Sequence, residues 1–283
     1  MEIVIRSIRD YSRLFELCKQ ETIDDNIIHI ILNLNFINPH DVLLLVQESI
    51  FIRRKFPNIE TISFNGRDIT KRYLLDIGLI TFLKSNFFQP GTIKFIDKRT
   101  AMPIRRVEKV SIEEYVQETL RYIGRICKGK ELTILSIGIK ESINNVYDHS
   151  ESEIGAYVFC QYYPNVNNIK VCVTDIGIGI PESVRRMHPL FTDRDCIEWA
   201  LKDKNTVASI PSNAGMGLAT IRSFTKKTKG RLLILSGEYQ YEMMSNGHES
   251  YTFNPIKNFK GTLIEITINV SELEDEEFVD DIF

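Results

Sequence analysis

At 283 residues, with 43% hydrophobic and 26% charged side chains, the chain has the length and balance of roughly two globular domains. Its 35 Lys+Arg against 38 Asp+Glu give a net charge of -3, which argues against a nucleic-acid footprint. Five cysteines (Cys18, Cys127, Cys160, Cys172, Cys196) are odd in number and never spaced CxxC, so they read as reduced packing thiols rather than metal ligands.

Charges begin at the second residue and no apolar run reaches about 18 residues, so neither a secretory leader nor a membrane span is expected. The expectation is a soluble, cytoplasmic protein with no nucleic acid and no membrane among its partners.

In chain order, residues 2–5 read as a strand, and Ser7 as the cap of a helix reaching about Gln20. The apolar run 27–34 suits a buried strand. Pro39 opens a helix whose apolar side is Val42, Leu43, Val46, Ile50 and Ile52. A strand at 59–64, a turn at Asn65–Gly66, a helix around 68–77 and a strand near 93–97 complete a small α/β domain, 1–100. Charged residues and Pro103 mark 101–110 as a linker. Ser111 and Glu114 have capping-box spacing for a helix that Gly129 can end.

A second domain, 111–273, follows. It reads as helix 131–149, strands 154–162 and 169–175, a long loop with helices, helix 217–229, and strands 231–237, 249–253 and 262–269. Adjacent strands predict a mixed, mainly antiparallel sheet with helices on one face, an α/β sandwich. The segment 274–283 is an acidic tail, expected to be solvated or to bind a partner.

Four segments carry candidate chemistry. Glu141, Asn145 and His149 recur at four-residue spacing, which puts all three on one helix face. A carboxamide oxygen is a hard magnesium ligand, and a carboxylate can polarise a water or hydroxyl. An isolated pair of this kind is common on helix surfaces.

In VCVTDIGIGIP, Asp175 ends a buried strand, and Gly177 and Gly179 let the backbone turn tightly beside a ligand such as a purine edge. An isolated DxGxG also occurs as a plain strand-ending turn. Gly215 and Gly217, with Leu218, precede a helix whose N-terminus suits an anion. Thr220 and the missing leading strand rule out a Rossmann fingerprint there. Thr262, after Gly261, starts an alternating strand near the end of the chain.

Taken in order, E-x3-N-x3-H, DxGxG, GxGL and a late GT resemble the GHKL (Bergerat-fold, HATPase) superfamily over about 160 residues. The resemblance implies an ATP and Mg2+ site. Glu141 would be the general base, Asn145 the Mg ligand, and His149 a residue orienting its neighbours. Asp175 would take the adenine amine, Gly177 and Gly179 would shape the pocket, Gly215 and Gly217 with Leu218 would hold phosphates, and Thr262 would back up the adenine. Residues 182–214 would form a lid. Its Arg185, Arg186, Arg194, Lys202 and Lys204 could supply a γ-phosphate contact, and Trp199 would report its closure.

The helix before the domain carries no histidine, which argues against an autophosphorylating histidine kinase. The compact motifs are most similar to anti-sigma-factor Ser/Thr kinases. LNLNFINPHDVLLL resembles the STAS module of their antagonists, with Asn38-Pro39-His40-Asp41 where an acceptor serine would stand; the first domain would then be a scaffold or partner surface.

The resemblance therefore implies a regulatory protein that hydrolyses ATP or transfers its γ-phosphate to a Ser/Thr of a protein partner. The alternative is a nucleotide-gated interaction or homodimerisation switch with little turnover.

Overall fold

The structure, a computed structural model, describes residues 1–17, 19–24, 27–33, 36–57, 61–66, 68–79, 81–82, 100–202, 217–257 and 259–276. It is mixed α/β with an antiparallel sheet and helices.

The chain starts with β1 (Glu2–Ile5). The Asp10 carboxylate then accepts from the Ser7 N–H at 3.0 Å and starts a tight 3-10 turn, Ile8–Tyr11. That turn leads into a short helix, α1 (Ser12–Leu17), in place of the single longer helix expected. β2 (Ile27–Leu32) and β3 (Thr61–Gly66) add in parallel, in the order β1-β2-β3. Between them runs α2 (Pro39–Lys55), and α3 (Asp68–Asp76) follows β3. Pro39 is pre-set for the first turn of α2, and Asp41 accepts from the Asn38 N–H at 2.8 Å. The strand expected near 93–97 lies outside the described residues.

The second sheet has seven strands in the order β4-β5-β6-β10-β7-β8-β9, every neighbouring pair antiparallel. They are β4 (Arg105–Val107), β5 (Ala156–Tyr163), β6 (Asn168–Thr174), β7 (Arg231–Ser236), β8 (Tyr239–Met243), β9 (Glu249–Phe253) and β10 (Thr262–Asn269). Segment 101–110, expected as a linker, instead adds an edge strand. Met102 N–H donates to the Cys160 carbonyl at 2.9 Å, and Met102 and Ile104 are buried. β8 was not anticipated. Its partly polar sequence, YQYEM, is held by pairing with β7 rather than by a strong pattern of its own.

On one face of this sheet lie α4 (Ile112–Ile126), α5 (Thr133–His149) and α8 (Gly217–Lys227). Ile139 and Ile143 pack with Val158, Val171, Val173, Ile234 and Ile266. The expected capping box at Ser111 does not form. A 3-10 turn, Lys109–Ser111, precedes the helix and turns the hydroxyl back onto the Glu108 carbonyl at 3.1 Å.

The other face is covered too, by α2. Every residue from Pro39 to Ile50 is buried, and one apolar cluster runs from Ile3, Ile5 and Ile30 through Leu43 and Leu44 to Phe159, Cys172, Leu235 and Leu263. Helices on one face therefore holds for the helices of the C-terminal half alone. The Asn38–Asp41 turn is not an outward surface, since His40 and Asp41 are buried against the sheet.

The start of the acidic tail is likewise docked rather than solvated. The Glu274 carbonyl accepts from Glu131 N–H at 2.9 Å, and Asp275 pairs with Lys130 at 2.7 Å. Among the described residues, four cysteines are free and buried, and no helix is long and apolar enough to cross a membrane.

Candidate functional site

The candidate groups form two clusters, one where α8 starts against α5 and one where β6 and β10 end beside Ser150. The first is built on α5, whose inner stripe (Leu135, Ile139, Ile143, Val146) is anchored in the core. Glu141, Asn145 and His149 therefore share the part-buried flank of the helix, at the spacing read from the sequence. Burial raises the Glu141 carboxyl above its ordinary range, and Lys140 only partly offsets this. Burial also lowers His149, against the pull of Asp148, and so disfavours its charged form.

Gly217 opens α8 against this flank. A Cβ there would stand 3.6 Å from both Glu141 Oε2 and Asn145 Nδ2. The two polar tips thus converge on the first residue of an 11-residue helix. The unpaired N–H groups and dipole of such a helix start favour an anion. Leu218 turns the other way and is buried in the core shared with α5. Gly215 lies outside the described residues, as does the end of the expected lid from 203 on.

Asp175 stands just past the end of β6 and is 2% exposed. Its N–H donates to the Thr262 carbonyl at 3.0 Å, and its carboxylate accepts from the Gly177 N–H at 2.7 Å. Burial pushes this carboxyl up to about 7, against the pull of hydrogen bonds from the Gly177 and Thr262 backbone and the Ser150 hydroxyl. A buried carboxyl near neutrality can receive a donor from a ligand in its ionised form.

Around Asp175 the backbones are in direct contact. A Cβ at Gly177 would overlap the Ser150 carbonyl. At Gly261, where φ is +83°, it would overlap the carbonyl of Asp175 itself. Only glycine fits either place. Gly179 sits against the Gly261 carbonyl and Ser236 Oγ, each 2.9 Å from a Cβ built on it.

The Thr262 hydroxyl lies 3.0 Å from Ser236 Oγ, which also accepts from Ile180 N–H at 2.9 Å. The structure thus gathers Asp175, Gly177, Gly179 and Thr262 at one place. Ser150 and Ser236 were missed. Ser236, a polar residue ending the apolar run LLIL, carried the same strand-end signal as Thr262.

The intervening segment forms α6 (Gly179–Arg185) and α7 (Asp193–Ala200). Its cations have partners here. Arg185 binds Asp193 at 2.5 Å, Arg186 binds Glu151 at 2.6 Å, Arg194 lies over the Tyr251 ring, and Lys202 pairs with Glu198 at 3.3 Å. Lys204 is outside the described residues. Trp199 packs on the His188 ring, with centroids 5.1 Å apart.

Together these groups place a buried carboxyl at Asp175 and a helix start suited to an anion at Gly217, with a carboxylate and a carboxamide beside it. Comparison with known proteins adds no relative: no family model matches the chain, and no curated protein is detectably similar to it.

Proposed function

We propose that this chain is a cytoplasmic, Mg-ATP-dependent regulatory protein of GHKL type, with the STAS-like N-terminal part fused to a Bergerat-fold nucleotide domain. The observation that carries the reading is the convergence of Glu141 and Asn145 on Gly217. Residues from two motifs more than seventy positions apart meet where a helix start can hold phosphate.

Asp175 accepts the exocyclic amine of adenine, with Thr262 and Ser236 behind it. The α8 N-terminus takes the phosphate chain. Glu141 removes the proton from the attacking oxygen of water or a partner's Ser/Thr hydroxyl. That oxygen bonds to the γ-phosphorus, the bond to the β–γ bridging oxygen breaks, and ADP leaves with the electron pair. The raised Glu141 carboxyl suits a base, since its proton affinity is above that of a free carboxylate.

The donor set also fits magnesium bound with a nucleotide, which needs only one or two protein oxygens; Asn145 Oδ1 would hold it, with Glu141 nearby. When bound, the ion would neutralise phosphate charge.

The N-terminal part acts as a scaffold, because the Asn38–Asp41 turn faces the chain's own sheet. The second reading is a nucleotide-gated switch with little turnover. The pairing of each described lid cation with an acid or aromatic ring favours it, since closure over a phosphate would have to break those pairs.

The test is Mg-ATP binding and phosphate release by purified wild type, Glu141→Ala and Asp175→Asn. Loss of a charge-assisted hydrogen bond in Asp175→Asn is expected to weaken binding by about 10- to 100-fold. Glu141→Ala should keep binding and lose phosphate release. Wild-type binding without release would favour the switch. No binding by wild type would end the ATP reading.

A further inference from the structure

The buried side of the seven-stranded sheet holds a polar residue that touches the recognition end from behind. Gln47, in the middle of α2, has no exposed surface. Its Oε1 accepts from Thr174 Oγ1 at 2.8 Å, and its Nε2 donates to the Lys260 carbonyl at 3.2 Å. Thr174 immediately precedes Asp175, and Lys260 immediately precedes Gly261, where any Cβ would overlap the Asp175 carbonyl.

One carboxamide therefore bridges the two turns whose backbones set where the Asp175 carboxylate points. Both partners come from the C-terminal half, and the bridge comes from a helix more than a hundred residues earlier. A fully buried glutamine costs stability unless its amide is satisfied, and here both ends are.

We infer that Gln47 is a positioning residue for purine recognition: the N-terminal helix fixes the register of the Asp175 and Gly261 turns, so the nucleotide site is incomplete without the N-terminal part. The inference rests on the ATP reading of the site. It extends that reading by making adenine recognition, and not phosphate binding, depend on α2. The phosphate end at Gly217 belongs to α8 and α5, on the opposite face of the sheet from α2.

The experiment measures Mg-ATP and Mg-tripolyphosphate binding by the full-length wild type, Gln47→Leu and Gln47→Met. The control is Leu43→Ala, a buried α2 residue in the same apolar cluster with no polar tie. Gln47→Leu is expected to weaken ATP about 10-fold or more while tripolyphosphate affinity stays within about twofold. Leu43→Ala is expected to lower the melting temperature with the ATP-to-tripolyphosphate ratio unchanged. In a Thr174→Val background the Gln47→Leu effect on that ratio should shrink, because the shared hydrogen bond is already gone.

An unchanged ratio in a folded Gln47 variant overturns the inference, as does an equal loss for both ligands or the same ratio change in Leu43→Ala. If the leucine variant does not fold, Gln47→Met, closer in length and volume, carries the same comparison. If neither folds, hydrogen exchange in wild type decides it: ATP should slow exchange in residues 43–50 and tripolyphosphate should not, and equal behaviour overturns it. A wild type that binds no ATP fails the underlying reading instead, a result distinct from all of these.

Discussion

The two faces of the seven-stranded sheet are buried by different chemistry. Toward α4, α5 and α8 the contact is mostly apolar, with Ile139, Ile143, Val171 and Ile234 fully buried, and the Thr119, Ser142 and Thr225 hydroxyls buried there donate back to carbonyls of their own helices. Toward α2 the sheet carries Glu265, 0% exposed, in the middle of β10. Its carboxylate binds His40 Nδ1 at 2.8 Å, Arg231 at 3.3 Å and Lys170 at 3.8 Å. Lys170 also donates to the Asn38 side chain at 2.9 Å.

An apolar face holds helices by area and tolerates sliding of similar shapes. Lys170 and Arg231 reach this buried charge from neighbouring strands and His40 reaches it from α2, so a shift of α2 is penalised by loss of the buried His40–Glu265 contact. The difference teaches that the candidate site at the rim, with its α5 and α8 groups, stands on the apolar face, whereas the placement of α2 is marked by ions on the other.

The sharpest way to break this contrast is to remove Glu265. Glu265→Ala strands the cations around it and is expected to cost about 3–5 kcal/mol in urea unfolding near pH 6. Ile139→Ala on the apolar face should cost about 2–5 kcal/mol through its cavity. The two differ in their response to pH: the isoleucine cost should be the same at pH 6 and 8.5, and the glutamate cost should shrink at the higher value. A glutamate cost that does not change with pH would remove the ionic account of the α2 face.

The direction follows from the groups themselves. Its cationic partners hold Glu265 down to about 2, so its contribution is present above the ordinary 4.5 and is lost as pH falls through about 2. Glu265 raises His40 above its ordinary 6.5 in spite of burial, so that contribution is present below 6.5 and is lost as pH rises through the raised value. The cluster is therefore strongest between about pH 4.5 and 6.5.

At the rim the sign is the reverse of an ordinary salt-bridged aspartate. Asp175 is raised from 3.8 to about 7, so its contribution is present below 3.8 and is lost as pH rises through about 7. Asp175→Asn, which does not titrate, should gain on wild type by about 2–4 kcal/mol between pH 4 and pH 8 in the absence of ligand. Equal pH profiles for the two proteins would mean that Asp175 is not held in a desolvated site. The smallest effect concerns the proposed lid: if 182–202 closes over a ligand, Trp199 fluorescence should change only modestly in a titration with Mg-ATP, because its ring already packs on His188.

Much of the candidate site was legible because its parts are local. Four-residue spacing puts Glu141, Asn145 and His149 on one flank of any helix, an apolar strand brings Asp175 to its end, and Gly217 starts a helix wherever that helix goes. The covered second face had a signal too. VFC, VCV and LLIL are continuous apolar runs, whereas an antiparallel sheet with one wet face reads as alternation. The linker reading failed at 101–110 because an edge strand takes its order from its neighbour β5, not from its own charged residues.

By itself the sequence determined most of the elements, though not β4 or β8, the flank of α5 that carries polar groups, and the tight turn at Gly177 and Gly179. Only the tertiary structure decided that α2 lies beneath the sheet, that His40 meets Glu265 across 225 positions, and that Gln47 bridges Thr174 and Lys260. Periodicity is a property of neighbours in the chain. A buried hydrogen bond between distant segments exists only after two independently folded surfaces have been pressed together, where leaving either group unpaired would cost more than pairing it.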